Sequence, residues 1–292
     1  MSYINALTDP EFNTPGRSKG LFDVFHHRHL LGLLVRKGIA TRYYGSALGW
    51  IWSYVRPAAQ FLMYDFIFGT VFQAHRDIPN FSIYLFSGII TINLFSEALR
   101  NTTDSITGNA SLVKKIYLPR ELFPVSAIGV AFVHFLPQAV ILLIVCIFLG
   151  WTITWMQLLA LVLGIFIVLV FALGLGLFFG SINVAQRDAR NIVDLILMFA
   201  TWLSPVLYQW TMLKAHLSPL ALKIYMINPV TVTVELFHNV FWAAVPTDGR
   251  PLPERPSHLM LNALIGLVIA LVTLLIGQLT FRKLEGNFAQ HL

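Results

Sequence analysis

Apolar residues in this chain come in long blocks, not in alternation. Six blocks lie near 51–73, 81–101, 122–149, 157–182, 191–209 and 258–281. A bilayer crossing needs roughly 20 mostly apolar residues in helical form. The pattern therefore predicts an all-α polytopic membrane protein with six transmembrane helices. A β-barrel would show weak period-two alternation instead. The third block is long for one crossing and contains Pro137, which predicts a kink or tilt.

Two segments outside the blocks are too apolar to be plain loops. Residues 21–45 mix apolar positions with His and Arg: Phe22, Phe25 and Leu33 share one side, Val24, Leu31 and Val35 another. This predicts an amphipathic helix lying at the cytoplasmic interface, or one packed on the cytoplasmic side of the bundle. Residues 211–245 carry short apolar pieces punctuated by Pro219 and Pro229. Each piece is too short to cross once, so two short re-entrant helices on the outer side are expected, meeting at Asn228 and Pro229 between spans 5 and 6. Non-helical backbone at that depth must be buried in protein or line a wet cavity. The segment would thus shape an outer mouth. The organisation expected is a polar tail over 1–20, an interfacial helix over 21–45 and a single transmembrane domain over 46–292.

Composition agrees with a membrane solvent. The chain is 57% hydrophobic and 12% charged, with mean hydropathy +0.70, whereas soluble domains carry about 25% charged residues. The one cysteine, Cys146, sits in an apolar run, so neither a disulfide framework nor Cys/His metal spacing is present. Residues 1–20 lack the apolar stretch of a cleaved signal, which leaves the N-terminus expected in the cytoplasm.

Charge sets the orientation, because cytoplasmic loops hold excess Lys and Arg. With the N-terminus inside, thirteen basic residues fall on inner segments and five on outer ones, while Arg56 and Arg100 sit at span ends. Both termini are expected in the cytoplasm. The stretch RYYGSALGWIWSYVRP, 42–57, then lies where the cytoplasmic segment enters span 1. Tyr43, Tyr44, Trp50, Trp52 and Tyr54 would form a headgroup-level girdle. Behind Arg42, Gly45 and Gly49 would permit a bend between a surface helix and a crossing one.

Several positions are candidates for function. The inner loop 104–124 holds Leu112, Val113, Lys114, Lys115, Ile116, Tyr117 and Arg120 in a short helix suited to docking a soluble partner, or to anionic headgroups. Arg187, Asp188 and Arg190 cluster in an inner turn, a pattern that helix capping alone would explain. Ionisable residues within spans are costly and face a partner or a cavity. Here Asp65 has no obvious local partner, Glu97 and Arg100 could pair on one helix face, and His134 and Asp194 stand apart. Glu235 and His238, three apart in the outer segment, suggest a hydrogen-bonded structural pair. Spans 1 and 2 are rich in aromatics. Tyr64, Phe68, Tyr84 and Phe95 are candidates to line a channel, where flat rings would stack on sugars.

Taken in order, RYYGSALGWIWSYVRP (42–57), LVKKIYLPRELFP (112–124), NVAQRDARNIVD (183–194) and INPVTVTVELFHNVFW (227–242) resemble the permease subunits of ABC-2 type exporters. The likeness is to the polysaccharide, O-antigen and teichoic-acid branch. It implies a homodimer paired with two copies of a separate nucleotide-binding ATPase, with ATP and Mg held there and no cofactor on this chain. It implies that 112–120 acts as a coupling helix and that the outer helices form the exit of an axial channel. The cargo would be a lipid-linked glycan of O-antigen, galactan or teichoic-acid type, moved across the bacterial inner membrane. Membrane lipids are expected contacts and nucleic acid is not. The chain contains no G-x-x-x-x-G-K-[ST] loop, so hydrolysis is expected on the partner. Two other readings keep the membrane fold: an ABC-2 exporter of drugs or small lipids, and a proton-coupled secondary transporter using Asp65. The internal repeat expected of the latter is not evident.

Overall fold

The computed structural model describes residues 20–42, 44–115, 118–247, 249, 251 and 254–292, and is helical throughout its ordered elements, with no strand among those residues. Tyr43, Ile116, Tyr117 and the Trp50 side chain lie outside the described residues. A 3₁₀ segment, Leu21–His27, leads into α1, Arg28–Arg42. Helix α2, Trp52–Tyr64, runs on as a π-helix, Asp65–Val71. Next come α3, Phe81–Thr103, the short α4, Ala110–Lys115, and α5, Leu122–Phe148. They are followed by α6, Trp155–Ala185, and α7, Asp188–Leu203. Two short helices, α8 (Pro219–Ile227) and α9 (Pro229–Phe237), precede α10, Leu259–Leu284, and α9 continues as a π-helix, His238–Trp242.

Local chemistry explains the boundaries. Thr154 opens α6 with a capping box: its side chain accepts from the Gln157 amide, and the Gln157 side chain accepts from the Thr154 amide. Asn228 caps α9 by accepting from the Val230 amide at 2.9 Å, and Pro229 takes the first position, where its missing N–H costs nothing. The block expected to stay helical to 209 stops at Leu203. Ser204 is extended because it precedes Pro205, whose ring disfavours helical backbone in the residue before it.

Helices α3, α5, α6 and α10 are long and apolar enough to cross a bilayer. The pair α8 and α9, bent by 74° at Asn228, makes a fifth if it is counted as one span. Helix α2 carries Arg56 and α7 opens on Asp188 and Arg190, and at 13 and 16 residues both fall short of the same length. Helix α3 is the centre of the bundle, packed on α5, α6 and α9, and it is the most buried of the four long helices. Tyr84, Leu85, Ile89 and Phe95 from α3 join Phe135, Phe237 and Phe241 in the main core. Helix α10 lies against α6 and leaves most of its surface outward, with Leu264, Val268, Leu275 and Leu279 exposed. A second, smaller core closes the end that carries the 104–121 loop: Ile106, Val113, Phe123, Leu177, Val184, Phe281 and Phe288.

Candidate functional site

That smaller core holds up α4. Val113 is its buried anchor and Leu112 is half-buried, while Lys114 and Lys115 project outward. Arg120 lies over the Phe288 ring, 5.7 Å from its centroid. Glu121, fully buried just before α5, accepts from Gln278 at 3.0 Å, so α10 and the loop meet there. Two further ties reach neighbouring elements. Lys37 of α1 donates to Asn109 at 2.8 Å. Arg190 at the start of α7 stands 3.7 Å from Asp104. Burial raises the Asp104 carboxyl above its usual value, against the lowering pull of the Arg190 guanidinium. Arg187 and Asp188 are exposed beside it. A basic, solvent-facing helical turn thus sits on a rigid base wired to α1, α5, α7 and α10.

The link between α1 and α2 is built on left-handed glycines. Gly45 has φ +77° and Gly49 has φ +51°, and the Gly49 amide donates to Ser46 Oγ at 3.2 Å. Tyr44 is exposed and Trp52 is at the edge of exposure.

Arg42, the last residue of α1, reaches into the bundle. Its Nη1 and the Nδ1 of His134 converge on the same Glu97 oxygen, joining α1, α3 and α5. Arg42 is about a third exposed, so water screens the pair, and the contact acts chiefly by fixing the end of α1 against α3 and α5. The pairing within α3 expected from the sequence does not occur: Glu97 takes Arg42 and His134, and Arg100 instead donates to Asp194 of α7 at 2.9 Å. Same-helix spacing suggested the partner, but neighbouring helices supply stronger ones. Asp65 likewise has a partner that the sequence did not reveal, accepting from the Ser82 hydroxyl at 2.8 Å with His75 Nε2 3.7 Å away. A cavity of ≈ 500 Å³ opens beside this network, faced by Arg42, Arg56, Arg100, Gln60, Asn93 and Glu97.

The aromatic candidates separate into two groups. Tyr64 and Phe68 are half-buried and meet edge to face at 6.2 Å. Tyr84 and Phe95 lie in the core of the chain, not on a channel wall, at 2% and 1% exposure. The Tyr84 ring stacks on His238 at 3.8 Å, and its hydroxyl lies 2.8 and 2.6 Å from the Pro205 and Tyr208 carbonyls. Phe95 stacks on Phe171 at 5.7 Å. His238 Nε2 donates to the Tyr84 carbonyl at 3.1 Å. Its Nδ1 faces Glu235 at 3.7 Å, too long for the hydrogen bond expected of that pair. Trp242 donates to the Pro79 carbonyl at 2.6 Å, which pins the end of the bent pair to the start of α3. The Arg42–Glu97–His134 network is the feature that sequence reasoning missed. Its signal was three ionisable residues in or beside apolar blocks, of which only Glu97 had a candidate partner on its own helix.

The family described as ABC-2 type transporter matches residues 29–242. The chain is 27% identical over 230 residues to the O-antigen export system permease protein RfbA of Myxococcus xanthus, covering 79% of this chain and 86% of that protein. It is also 27% identical over 267 residues to the O-antigen export system permease protein RfbA of Klebsiella pneumoniae, covering 89% and 94%. With the polysialic acid transport protein KpsM of Escherichia coli it shares 25% identity over 247 residues, 81% of this chain and 90% of that one.

Proposed function

The chain belongs to the ABC-2 type transporter family, and from that premise we propose how it works as the membrane subunit of an ATP-driven exporter of a lipid-linked cell-envelope polysaccharide. Its similarity to O-antigen and polysialic acid export proteins over more than three-quarters of its length makes it the permease subunit of an ABC polysaccharide exporter. In our reading two copies form the conduit, and each is paired with a separate ATPase that holds ATP and Mg. Helices α2 and α7 complete six crossings with both termini in the cytoplasm. The bent pair α8 and α9 enters the outer leaflet and returns, shaping the exit.

The observation that carries the coupling role is α4. An exposed basic turn, Lys114 and Lys115, stands on the buried Val113 and on the small core that joins Phe123, Phe281 and Phe288. Closure of an ATPase against that turn would displace α5, α6 and α10 together, because packed cores move as bodies and do not deform continuously. The Lys37–Asn109 and Arg190–Asp104 ties would carry the same push to α1 and α7. Asp65 serves in this reading as a hydrogen-bonded structural group beside Ser82.

The test is co-purification of the tagged chain with the products of its neighbouring genes. A Walker-motif subunit is expected at one copy per permease. Lys114→Ala with Lys115→Ala is expected to leave folding intact, since both side chains are exposed, while ATP hydrolysis continues without export. Purification of the chain alone, with transport driven by a proton gradient, would overturn the reading.

A further inference from the structure

The bent pair ends against α3 around a small cavity of ≈ 20 Å³, whose lining includes Tyr84, Gln209, Glu235, His238, Glu254 and Arg255. It lies at the end of α3 opposite the 104–121 loop. His238 Nε2 is 3.1 Å from the Tyr84 carbonyl. A carbonyl only accepts, so Nε2 carries a hydrogen. In the neutral ring Nδ1 is then a bare acceptor. It faces Glu235 Oε1, a second acceptor, at 3.7 Å. Glu235 and His238 are 5% and 1% exposed, and neither of these atoms has a hydrogen-bond partner among the described residues. Gln209 lines the same cavity, and its Nε2 is buried and also unmet. Thr211 Oγ1 donates to the Gln209 Oε1 at 3.4 Å, which marks Nε2 as the donor end of that amide.

Two acceptors and one donor around so small a space define an occupant. A buried water needs roughly 10–15 Å³ and typically makes about three hydrogen bonds. Here a water would accept from Gln209 and bridge Glu235 to His238. A metal ion fits less well, because no group of three carboxylate, imidazole or thiolate ligands stands among the described residues, and an amide N–H repels a cation. Charge adds a second constraint. Arg255 donates to Asn239 Oδ1 and to the Ala243 carbonyl, and makes no ion pair with any described carboxylate. Glu254 is held by Lys214 at 2.6 Å. The other titratable groups about the pair, Tyr84, Tyr208 and Tyr225, are phenols that bring no positive charge. Among the described residues α5 and α6 send no side chain to the lining, and α10 sends only Leu259. An ionised Glu235 would therefore be a buried charge with only His238 to balance it, and such a site takes up a proton instead.

We infer that this cavity is an internal binding site for one water and one proton, the proton being shared through the water by Glu235 and His238. While it holds the proton the pair is neutral as a unit. It then seats the end of the bent pair on α3, through the His238–Tyr84 hydrogen bond and the ring stack at 3.8 Å. Loss of the proton leaves a carboxylate uncompensated at the point where α9 passes into its π-helix. The stabilising contribution is therefore present at low pH and lost as pH rises. A metal ion is the rival occupant.

The experiment follows amide hydrogen exchange in the purified full-length chain in detergent, from about pH 5 to about pH 8, corrected for the intrinsic pH dependence of exchange. Residues 229–242 are expected to lose protection about tenfold or more relative to α6 as pH rises. Glu235→Gln leaves no carboxylate to neutralise, so its protection should stay flat. Glu254→Gln removes the other carboxylate on the cavity and should keep the wild-type response. A density map of the wild type that resolves ordered water is expected to show one between Glu235 and His238. A flat wild-type profile, a response that survives Glu235→Gln or vanishes in Glu254→Gln, or no water density at that place would overturn the inference. A response abolished by a chelator and restored by zinc would overturn it in favour of a metal. The wild-type profile and the map decide the matter even if Glu235→Gln fails to fold. Neither an ATPase nor a glycan enters the measurement, so each outcome leaves the exporter reading where it stands.

Discussion

Gly277 of α10 rests directly on the backbone of α6 at Gly174. A methyl group built on Gly277 would stand 2.1 Å from the Gly174 carbonyl oxygen, and one on Gly174 would stand 2.6 Å from the Leu274 nitrogen. Membrane helices lack a hydrophobic drive to associate with one another, since lipid tails are equally apolar, so close backbone approach through small residues supplies the contact. This crossing is the most extensive helix pair in the chain.

Gly277→Ala is therefore expected to lower the unfolding temperature of the detergent-solubilised protein, by an overpacking cost of about 1–3 kcal/mol. The obstacle is backbone, which cannot swing aside as a side chain does. Gly32→Ala in α1 is the control, because nothing lies within 4 Å of its added methyl. It should match the wild type or gain up to ~1 kcal/mol from helix propensity. Equal melting of the two variants would contradict the crossing.

The Arg42–Glu97–His134 network predicts a coupled response. Arg42 is about a third exposed and Glu97 largely covered, so the pair is worth little as a surface salt bridge, roughly 0–1 kcal/mol. Its larger effect is geometric, since it fixes the end of α1 against α3 and α5. Glu97→Gln and Arg42→Gln should each impair export well beyond their effect on melting. The double variant should export about as well as the worse single one, which a double-mutant cycle would read as coupling. Strictly additive losses would show that the residues act separately.

How much of this was legible beforehand depends on what each feature rests on. Helices α3, α5, α6 and α10 announced themselves because bilayer solvent demands long apolar runs. The break at Asn228 was legible because Pro229 lacks a donor and Asn caps well. The early stop of α7 was not read from Pro205, since the apolar run through 206–208 outweighed it. Partners across helices were invisible. Glu97 could be matched with Arg100 by spacing, but its match with Arg42 and His134 depends on how α1, α3 and α5 are rotated. The same rotation turned Tyr84 and Phe95 inward.

Asp104 predicts a pH dependence. Burial raises its carboxyl above the ordinary value of 3.8, and Arg190 opposes the shift. The fold thus favours the protonated acid. Its contribution to stability is present below the unfolded value and lost as pH rises through the higher folded one. Asp104→Asn cannot titrate, so its melting temperature relative to wild type should improve as pH climbs through that interval and level off above it. Arg190→Gln should steepen the wild-type profile and leave the Asp104→Asn profile flat. Parallel profiles for wild type and Asp104→Asn would show that the carboxyl does not titrate differently on folding.

The link after α1 gives the sharpest separation of function from folding. Gly45 and Gly49 both hold left-handed backbone, and among the described residues no atom beyond the adjoining ones lies within 4 Å of a Cβ added at either. An added Cβ there has open space, so the cost of a substitution lies in the backbone state, about 1–2 kcal/mol per ordinary residue. Valine, branched at Cβ, should be pushed out of that state and straighten the link, which would swing Arg42 away from Glu97. Asparagine tolerates left-handed backbone and should keep the bend. Gly45→Val with Gly49→Val is therefore expected to insert into the membrane at wild-type levels and lose most export, while the double asparagine variant retains it. Wild-type export by the valine pair would show that the bend is not needed for transport, and equal loss in both pairs would point to the missing glycines themselves, not the backbone they permit.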